Sequence, residues 1–199
     1  MSDAVERNLE LAKILIEYSC LEAEREEDYF ELTSGKRSRT YFDCQITAAR
    51  TEAMPLIGHA FIQEFERLGI QADAVGGLTR GADPIAQSVA YTSLHFGPLL
   101  QMFSVRKEQK AHGTRRWIEG YCEKGGRIVL VDDVATSGGS MVKAIERCEL
   151  EGLNVVGAVV LVDREEGGMK TIADALPGIP TGSVFSRSEI ETFQEKLRK

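Results

Sequence analysis

Two stretches of this chain are apolar without alternation: Ile128–Val131 and Val155–Val162. A strand with water on one face reads apolar-polar-apolar, so strands without that alternation must be covered on both faces. That environment is the interior of a parallel sheet sandwiched between helices. Around them strand and helix patterns take turns: "ADAVGGL", a helix from about Asp83 to Tyr91, "LLQMFSV", "RIVLVDD", a helix after Gly138, then "NVVGAVVLVD". Such alternation suits right-handed crossovers. The expected class is therefore α/β, a mostly parallel twisted sheet flanked by helices. Ligands of these sheets bind beyond the carboxyl ends of the strands, so the loops following "AVGGL", "MFSV", "LVDD" and "LVD" should share one site.

Upstream, residues 3–19 place Val5, Leu9, Ala12 and Ile16 at helical spacing, with Asp3 as N-cap. "FELTSGKRSRTYFDC" reads as two short strands around a Ser-Gly turn. "TEAMPLIGHAFIQEFERLG" is a helix with Pro55 in its first turn, an apolar face through Ile57, Phe61 and Phe65, and a stop at Gly69. No repeat or linker divides the 199 residues, and a single domain is expected over 1–199.

The chain carries a net charge of −7 and 28% charged residues, which argues against a general nucleic-acid binder and for an ordinary globular protein. No apolar run reaches membrane-spanning length and the acidic start lacks a signal-peptide core, so the expected location is cytoplasmic, with no membrane partner. Cys20, Cys44, Cys122 and Cys148 are too scattered for a metal site and are expected as buried free thiols. His59 and His95 fall in or near helices and are expected to be structural.

The chemistry is concentrated in the loops. Asp132 and Asp133 end an apolar strand, and Ala135, Thr136, Ser137, Gly138, Gly139 and Ser140 lead from it into a helix. Glycines that admit a close ligand, hydroxyls and the amides of a helix N-terminus together make a phosphate cradle, though neither the Walker ending nor GxGxxG is present. A Gly- and Ser-rich turn alone would be as well explained by chain reversal. The acid pair shifts that balance. Two carboxylates repel a bare phosphate but suit sugar hydroxyls, a hydrated Mg2+ or a carbon gaining positive charge, so the ligand reads as a phosphorylated sugar. A second segment, "SVRKEQKAHGTRRWIEG", gathers Arg106, Lys107, Lys110, His112, Arg115 and Arg116 in an acidic protein; by composition alone it is a solvated charge run.

"IVLVDDVATSGGSMVKAIE" resembles the ribose-phosphate signature of type I phosphoribosyltransferases, enzymes that use phosphoribosyl pyrophosphate. The spacing R-K-x-x-K-x-H-G from Arg106, closed by "IEG", resembles the catalytic loop of the orotate phosphoribosyltransferases. "FELTSGKRSRTYFD" is similar to that family's N-terminal hood, "LVDREEGG" to its orotate-binding strand end, and "GGLTRGADPIA" to its pyrophosphate loop. The resemblance spans residues 30 to 168. It implies a hood from residues of about 1–45 and transfer of the phosphoribosyl group to orotate, giving orotidine 5′-monophosphate and pyrophosphate.

The same resemblance implies the roles. Lys110, Arg106, Lys107, His112, Asp132 and Asp133 are catalytic. Residues 135–140 hold the 5′-phosphate, and Thr79, Arg80 and Gly81 hold pyrophosphate. Arg164, Tyr41, Phe42 and Lys36 hold orotate. Mg2+ is the cofactor, met by Asp132 and Asp133 through water, and a homodimer shares loop 105–119 across its interface. The sequence departs from the family at Thr33, Arg37, Arg39 and Arg80. Transfer to another nucleobase, or a nucleotide-sensing RNA-binding regulator on the same fold, are the competing readings.

Overall fold

The computed structural model describes residues 6, 8–31, 37–109 and 116–198. Helix α1 (Leu9–Tyr18) buries Leu11, Ala12 and Leu15; Asp3 and Val5, expected at its start, lie outside the described residues. Four short strands follow: β1 (Cys20–Glu22), β2 (Phe30–Glu31), β3 (Arg37–Ser38) and β4 (Thr40–Phe42). β2 pairs antiparallel with β3 and β1 with β4, while Ser34 and Gly35, expected as the turn, lie outside the described residues. Helix α2 (Cys44–Ala48) joins this N-terminal unit to helix α3 (Ala53–Leu68), which turns Ile57, Ala60, Phe61 and Phe65 inward and ends at Gly69, as its pattern predicts.

The remaining elements alternate: β5 (Ala74–Leu78), α4 (Ala82–Ser93), β6 (Gln101–Val105), β7 (Ile118–Gly120), β8 (Arg127–Ala135), α5 (Gly139–Leu150), β9 (Asn154–Asp163), α6 (Gly168–Ala175), β10 (Thr181–Ser186) and α7 (Arg187–Leu197). They form a six-stranded sheet in the order β10-β9-β8-β5-β6-β7. Its neighbours are parallel except β6 and β7, which are antiparallel. The α/β class and the mostly parallel sheet are as expected from the unbroken apolar strands.

Both faces are covered. Along β8, Val129 and Val131 join the layer built from α1, α3, α4 and α7 through Leu15, Phe61, Ile85 and Ile190. Ile128 and Leu130 point the other way, into a layer with Met141, Ala144 and Ile145 of α5 and Ile172 of α6. A strand alternates its side chains whether or not its sequence alternates polarity, and here each face meets a helix layer. No helix among the described residues is long and apolar enough to cross a membrane.

Candidate active site

The alternation along β8 does not stop where the apolar residues do. Asp132 lines a crevice with residues 134–141, Val160 and Ile172. Asp133 turns toward the N-terminal unit, where its field, with that of Asp43, adds to the burial that pushes the Cys44 thiol up. Both carboxylates are buried, each 7% exposed. Burial pushes the Asp132 carboxyl well above the usual carboxylate range, with repulsion from Asp133 adding to it and the charge of Lys107 opposing it. Burial also raises Asp133, while hydrogen bonds to Asp132 and nearby amides pull the other way. Taking a charge out of water disfavours it unless a partner replaces the lost hydration.

The loop after β5 closes on this pair. A Cβ at Gly81 would stand 2.7 Å from Oδ1 of Asp132 and 2.7 Å from Oδ1 of Asp133, so only glycine lets the backbone lie against both acids. Thr79 donates its amide to the Val105 carbonyl at 2.9 Å, which ties this loop to the end of β6. Beyond it, Thr79, Ser104, Arg106, Lys107, Glu108 and Glu119 line a cavity of about 430 Å3. Arg80, next in the chain after Thr79, is exposed.

On the far side of the acids, Gly138 takes φ 81° at the N-cap of α5, a conformation that a side chain strains. Its α carbon also abuts the Gly168 carbonyl, 2.7 Å from where a Cβ would stand. Ala135, Thr136, Ser137, Gly139 and Ser140 complete the turn, and the crevice they line with Asp132 is the expected phosphate cradle's position. The loop after β9 is fastened to it: the Arg164 amide donates to the Ala135 carbonyl at 3.0 Å.

Arg164 would by its neighbours Glu165 and Glu166 pass for a surface residue, yet it is 4% exposed. Its guanidinium lies over the Tyr41 ring at 5.4 Å, and Tyr41 packs against Phe30 with centroids 5.5 Å apart. Glu166 Oε1 stands 3.1 Å from Arg164 Nε, but the two are not aligned, and neither atom completes a hydrogen bond among the described residues. Two flat rings beside a buried, incompletely paired guanidinium form a slot suited to a planar anion.

The four strand ends thus meet as expected, bringing together Thr79, Gly81, Lys107, Asp132, Asp133, residues 135–140, Arg164 and Tyr41. Lys36, Lys110 and His112 lie outside the described residues. Arg106 is turned along its own strand pair, its guanidinium bonded to Glu119 at 3.1 Å and to the Glu108 carbonyl at 3.3 Å. Phe42, expected beside the base with Tyr41, is 2% exposed and packs in the core with Leu11 and Leu15. Adjacent residues of a strand point to opposite faces, so Phe42 cannot share Tyr41's side. Phe30, quoted in the hood pattern but given no role, takes the place beside Tyr41. Arg37 donates to the Glu27 carbonyl at 2.7 Å and Arg39 lies 4.0 Å from Glu22, so both departures are engaged within the N-terminal unit.

The cysteines are free; Cys44 and Cys148 are buried and Cys20 and Cys122 half-buried. Burial pushes Cys20 and Cys148 up to about 12, which keeps them protonated packing groups. His59 packs tilted against Phe96 with centroids 4.1 Å apart and His95 packs near Tyr91, away from the site as expected.

A mostly parallel sheet whose strand ends carry a glycine-bounded crevice and a buried acid pair, with Arg106 and Lys107 at the end of β6, is the arrangement of a phosphoribosyl transferase. Residues 46–181 match the phosphoribosyl transferase domain. The orotate phosphoribosyltransferase of Aquifex aeolicus is 43% identical over 165 residues, 83% of this chain and 88% of that one. Among solved structures, the Aeropyrum pernix orotate phosphoribosyltransferase superposes with a TM-score of 0.75 at 33% identity, over 94% of this chain and 97% of that chain. The Mycobacterium tuberculosis orotate phosphoribosyltransferase, solved in complex with 5-phospho-α-D-ribosyl 1-diphosphate, gives 0.74 at 28%, over 92% and 98%. The chain belongs to the orotate phosphoribosyltransferase family, and it is an enzyme of the phosphoribosyltransferase class.

A carboxyl whose native pKa is raised keeps its proton longer in the folded than in the unfolded chain. Its contribution is full below the ordinary carboxylate range and is lost as pH rises through the native value. Asp133→Asn removes that loss. It should raise stability at pH 7 to 8 by on the order of 1 kcal/mol or more, a few degrees in Tm, while transfer activity collapses. In denaturant melts the gain should shrink toward pH 4; an unchanged or lowered stability at pH 8 would contradict the electrostatic account.

Proposed function

We propose that this chain joins orotate N1 to C1 of phosphoribosyl pyrophosphate, releasing pyrophosphate and forming orotidine 5′-monophosphate, a step of pyrimidine nucleotide synthesis. The observation that carries the choice of base is Arg164, buried over Tyr41 and bonded through its backbone to the phosphate turn. Orotate is a flat anion with a carboxylate and ring carbonyls, and a guanidinium fork matches that edge. Tyr41 and Phe30 bound the ring's face. Lys36 adds a charge from the hood.

Residues 135–140 hold the 5′-phosphate through amides, hydroxyls and the α5 N-terminus. Asp132 and Asp133 take the ribose hydroxyls and face C1. As the C1–O bond stretches, C1 gains positive charge, and the acid pair stabilises it more strongly than in water because both groups are desolvated. Negative charge grows on the departing pyrophosphate, which Thr79, Arg80, the Gly81 amide, Lys107, Lys110, Arg106 and His112 meet.

The acid pair suits Mg2+: two buried oxygen ligands with raised pKa values lack their counter-charge. Among the described residues no group of three or more His, Cys, Asp or Glu could hold a metal by itself, so substrate oxygens and water would supply the other ligands. Bound beside Asp132 and Asp133, the ion would supply positive charge against the negative charge that develops in the reaction.

A homodimer is part of the proposal. Tyr91 in the last turn of α4 and Leu94, Phe96 and Leu99 on its connection to β6, all at least half exposed, offer apolar surface of the kind that marks an interface. Loop 105–119 would then be shared across that interface: Lys110 and His112 would reach the neighbour's site, while Arg106 and Lys107 at its root line their own chain's cavity with Thr79.

Incubation with phosphoribosyl pyrophosphate, Mg2+ and a panel of nucleobases should give pyrophosphate release with orotate and little with purines or uracil. Lys110→Ala should lower kcat by roughly two to three orders of magnitude. Release with another base and none with orotate would refute the assigned acceptor. Mixing Lys110→Ala chains with Asp133→Asn chains should restore part of the activity; mixtures no better than the parents would refute sharing across the interface.

A further inference from the structure

The basic segment leaves the sheet at Arg106 and Lys107 and returns at Trp117, and both ends are fastened to one helix turn. Arg147, in the last turn of α5, donates from Nη1 to the Arg106 carbonyl at 2.8 Å and from Nη2 to the Lys107 carbonyl at 2.9 Å. Its guanidinium lies 4.4 Å from the centre of the Trp117 ring. Four residues on, Glu151 Oε1 accepts the Trp117 amide at 2.8 Å. The ends also bond each other, Arg106 amide to Trp117 carbonyl at 2.9 Å. Arg147 thus satisfies two successive carbonyls on one stem while stacking on the other. Only a planar fork with an apolar face does both.

The consequence falls on the reaction. Arg106 and Lys107 line the cavity that Thr79 also lines, and the charge of Lys107 reaches Asp132. Two consecutive carbonyls held at fixed points fix where the side chains between and beside them leave the backbone. The N-terminus of α5, meanwhile, is the phosphate turn itself. One rigid helix therefore carries the phosphate site at one end and the clamp for the basic stem at the other.

We infer that Arg147 is a positioning residue for phosphoribosyl transfer: it holds the main chain of Arg106 and Lys107 so that the side chains leaving it, Lys107 above all, are presented to the cavity shared with Thr79. Nothing about Arg147 requires contact with substrate. The inference rests on the reaction assigned above, and the wild-type base panel reports on that assignment separately; should another base prove the acceptor, the cycle below is run with that base.

The test is a double-mutant cycle in the full-length enzyme, with Arg147→Ala made in the wild type and in an Arg106→Ala/Lys107→Ala background. In the wild type, kcat should fall about tenfold to a hundredfold, as displacement of reacting groups by an ångström does, with KM for the base within about twofold. In the background lacking both cations the same change should cost less than about threefold, because what Arg147 positions is gone. A purely structural role would cost the same in both. Emission from Trp117, the single tryptophan of the chain, should shift when the guanidinium is removed. Equal cost in the two backgrounds, or a kcat within twofold of wild type, overturns the inference. If circular dichroism shows that Arg147→Ala does not fold, Arg147→Lys, which keeps the charge without the fork, goes through the same cycle under the same criteria.

Discussion

Everything at this site depends on two carboxylates buried side by side where strand β8 runs out of apolar residues. Water could hydrate Asp132 and Asp133 at little cost, but the sheet, the Gly81 backbone and the phosphate turn exclude it. The result is a pair of acids held above their ordinary range, in a place where a positive centre would restore them. A ribose carbon losing its leaving group is such a centre, and so is a hydrated divalent cation. On the reaction proposed, the desolvation that weakens the empty protein would also strengthen the transition state, a trade of stability for activity.

The frame around the pair converts that term into geometry. Alternation along β8 sends Asp132 toward the crevice at residues 134–141 and Asp133 toward the N-terminal unit. Parallel pairing with β9 sets Ala135 opposite Asp163, which puts Arg164 one residue beyond and within a backbone hydrogen bond of the turn. Pairing of β5 with β6 does the same for Thr79. Each recognition group therefore hangs from a strand end whose register is fixed by burial on both faces.

Much of this was legible before any coordinates. Unbroken apolar runs demand a doubly covered sheet, and Pro55 and Gly69 bracket a helix by their own backbone chemistry, so the class, α3, β8 and β9 follow directly. The phosphate turn was readable because its glycines and hydroxyls sit at a strand end after an acid pair. The short elements were not. Cys20–Glu22 and Ile118–Gly120 hold too few residues to show a period, and their pairing is set by distant partners. Phe42 does not join Tyr41 at the site, because a period of two allows only one of an adjacent aromatic pair on each side. The burial of Arg164 was hidden among its acidic neighbours, and it arises from Tyr41, which lies far away in the chain. Arg147 was silent for a related reason: on a helical wheel it is a polar residue, and its role exists only where α5 passes under the stems of the basic segment.

The central claim, that burial holds the acid pair short of its counter-charge until substrate arrives, is tested most directly by carbon-detected NMR of the aspartate carboxyl groups across pH. In the free enzyme, Asp132 and Asp133 should titrate above the ordinary carboxylate range. With phosphoribosyl pyrophosphate and Mg2+ added, both should fall back toward or below it. Ordinary titration of both groups in the free enzyme, or raised values that do not move on binding, would contradict the account.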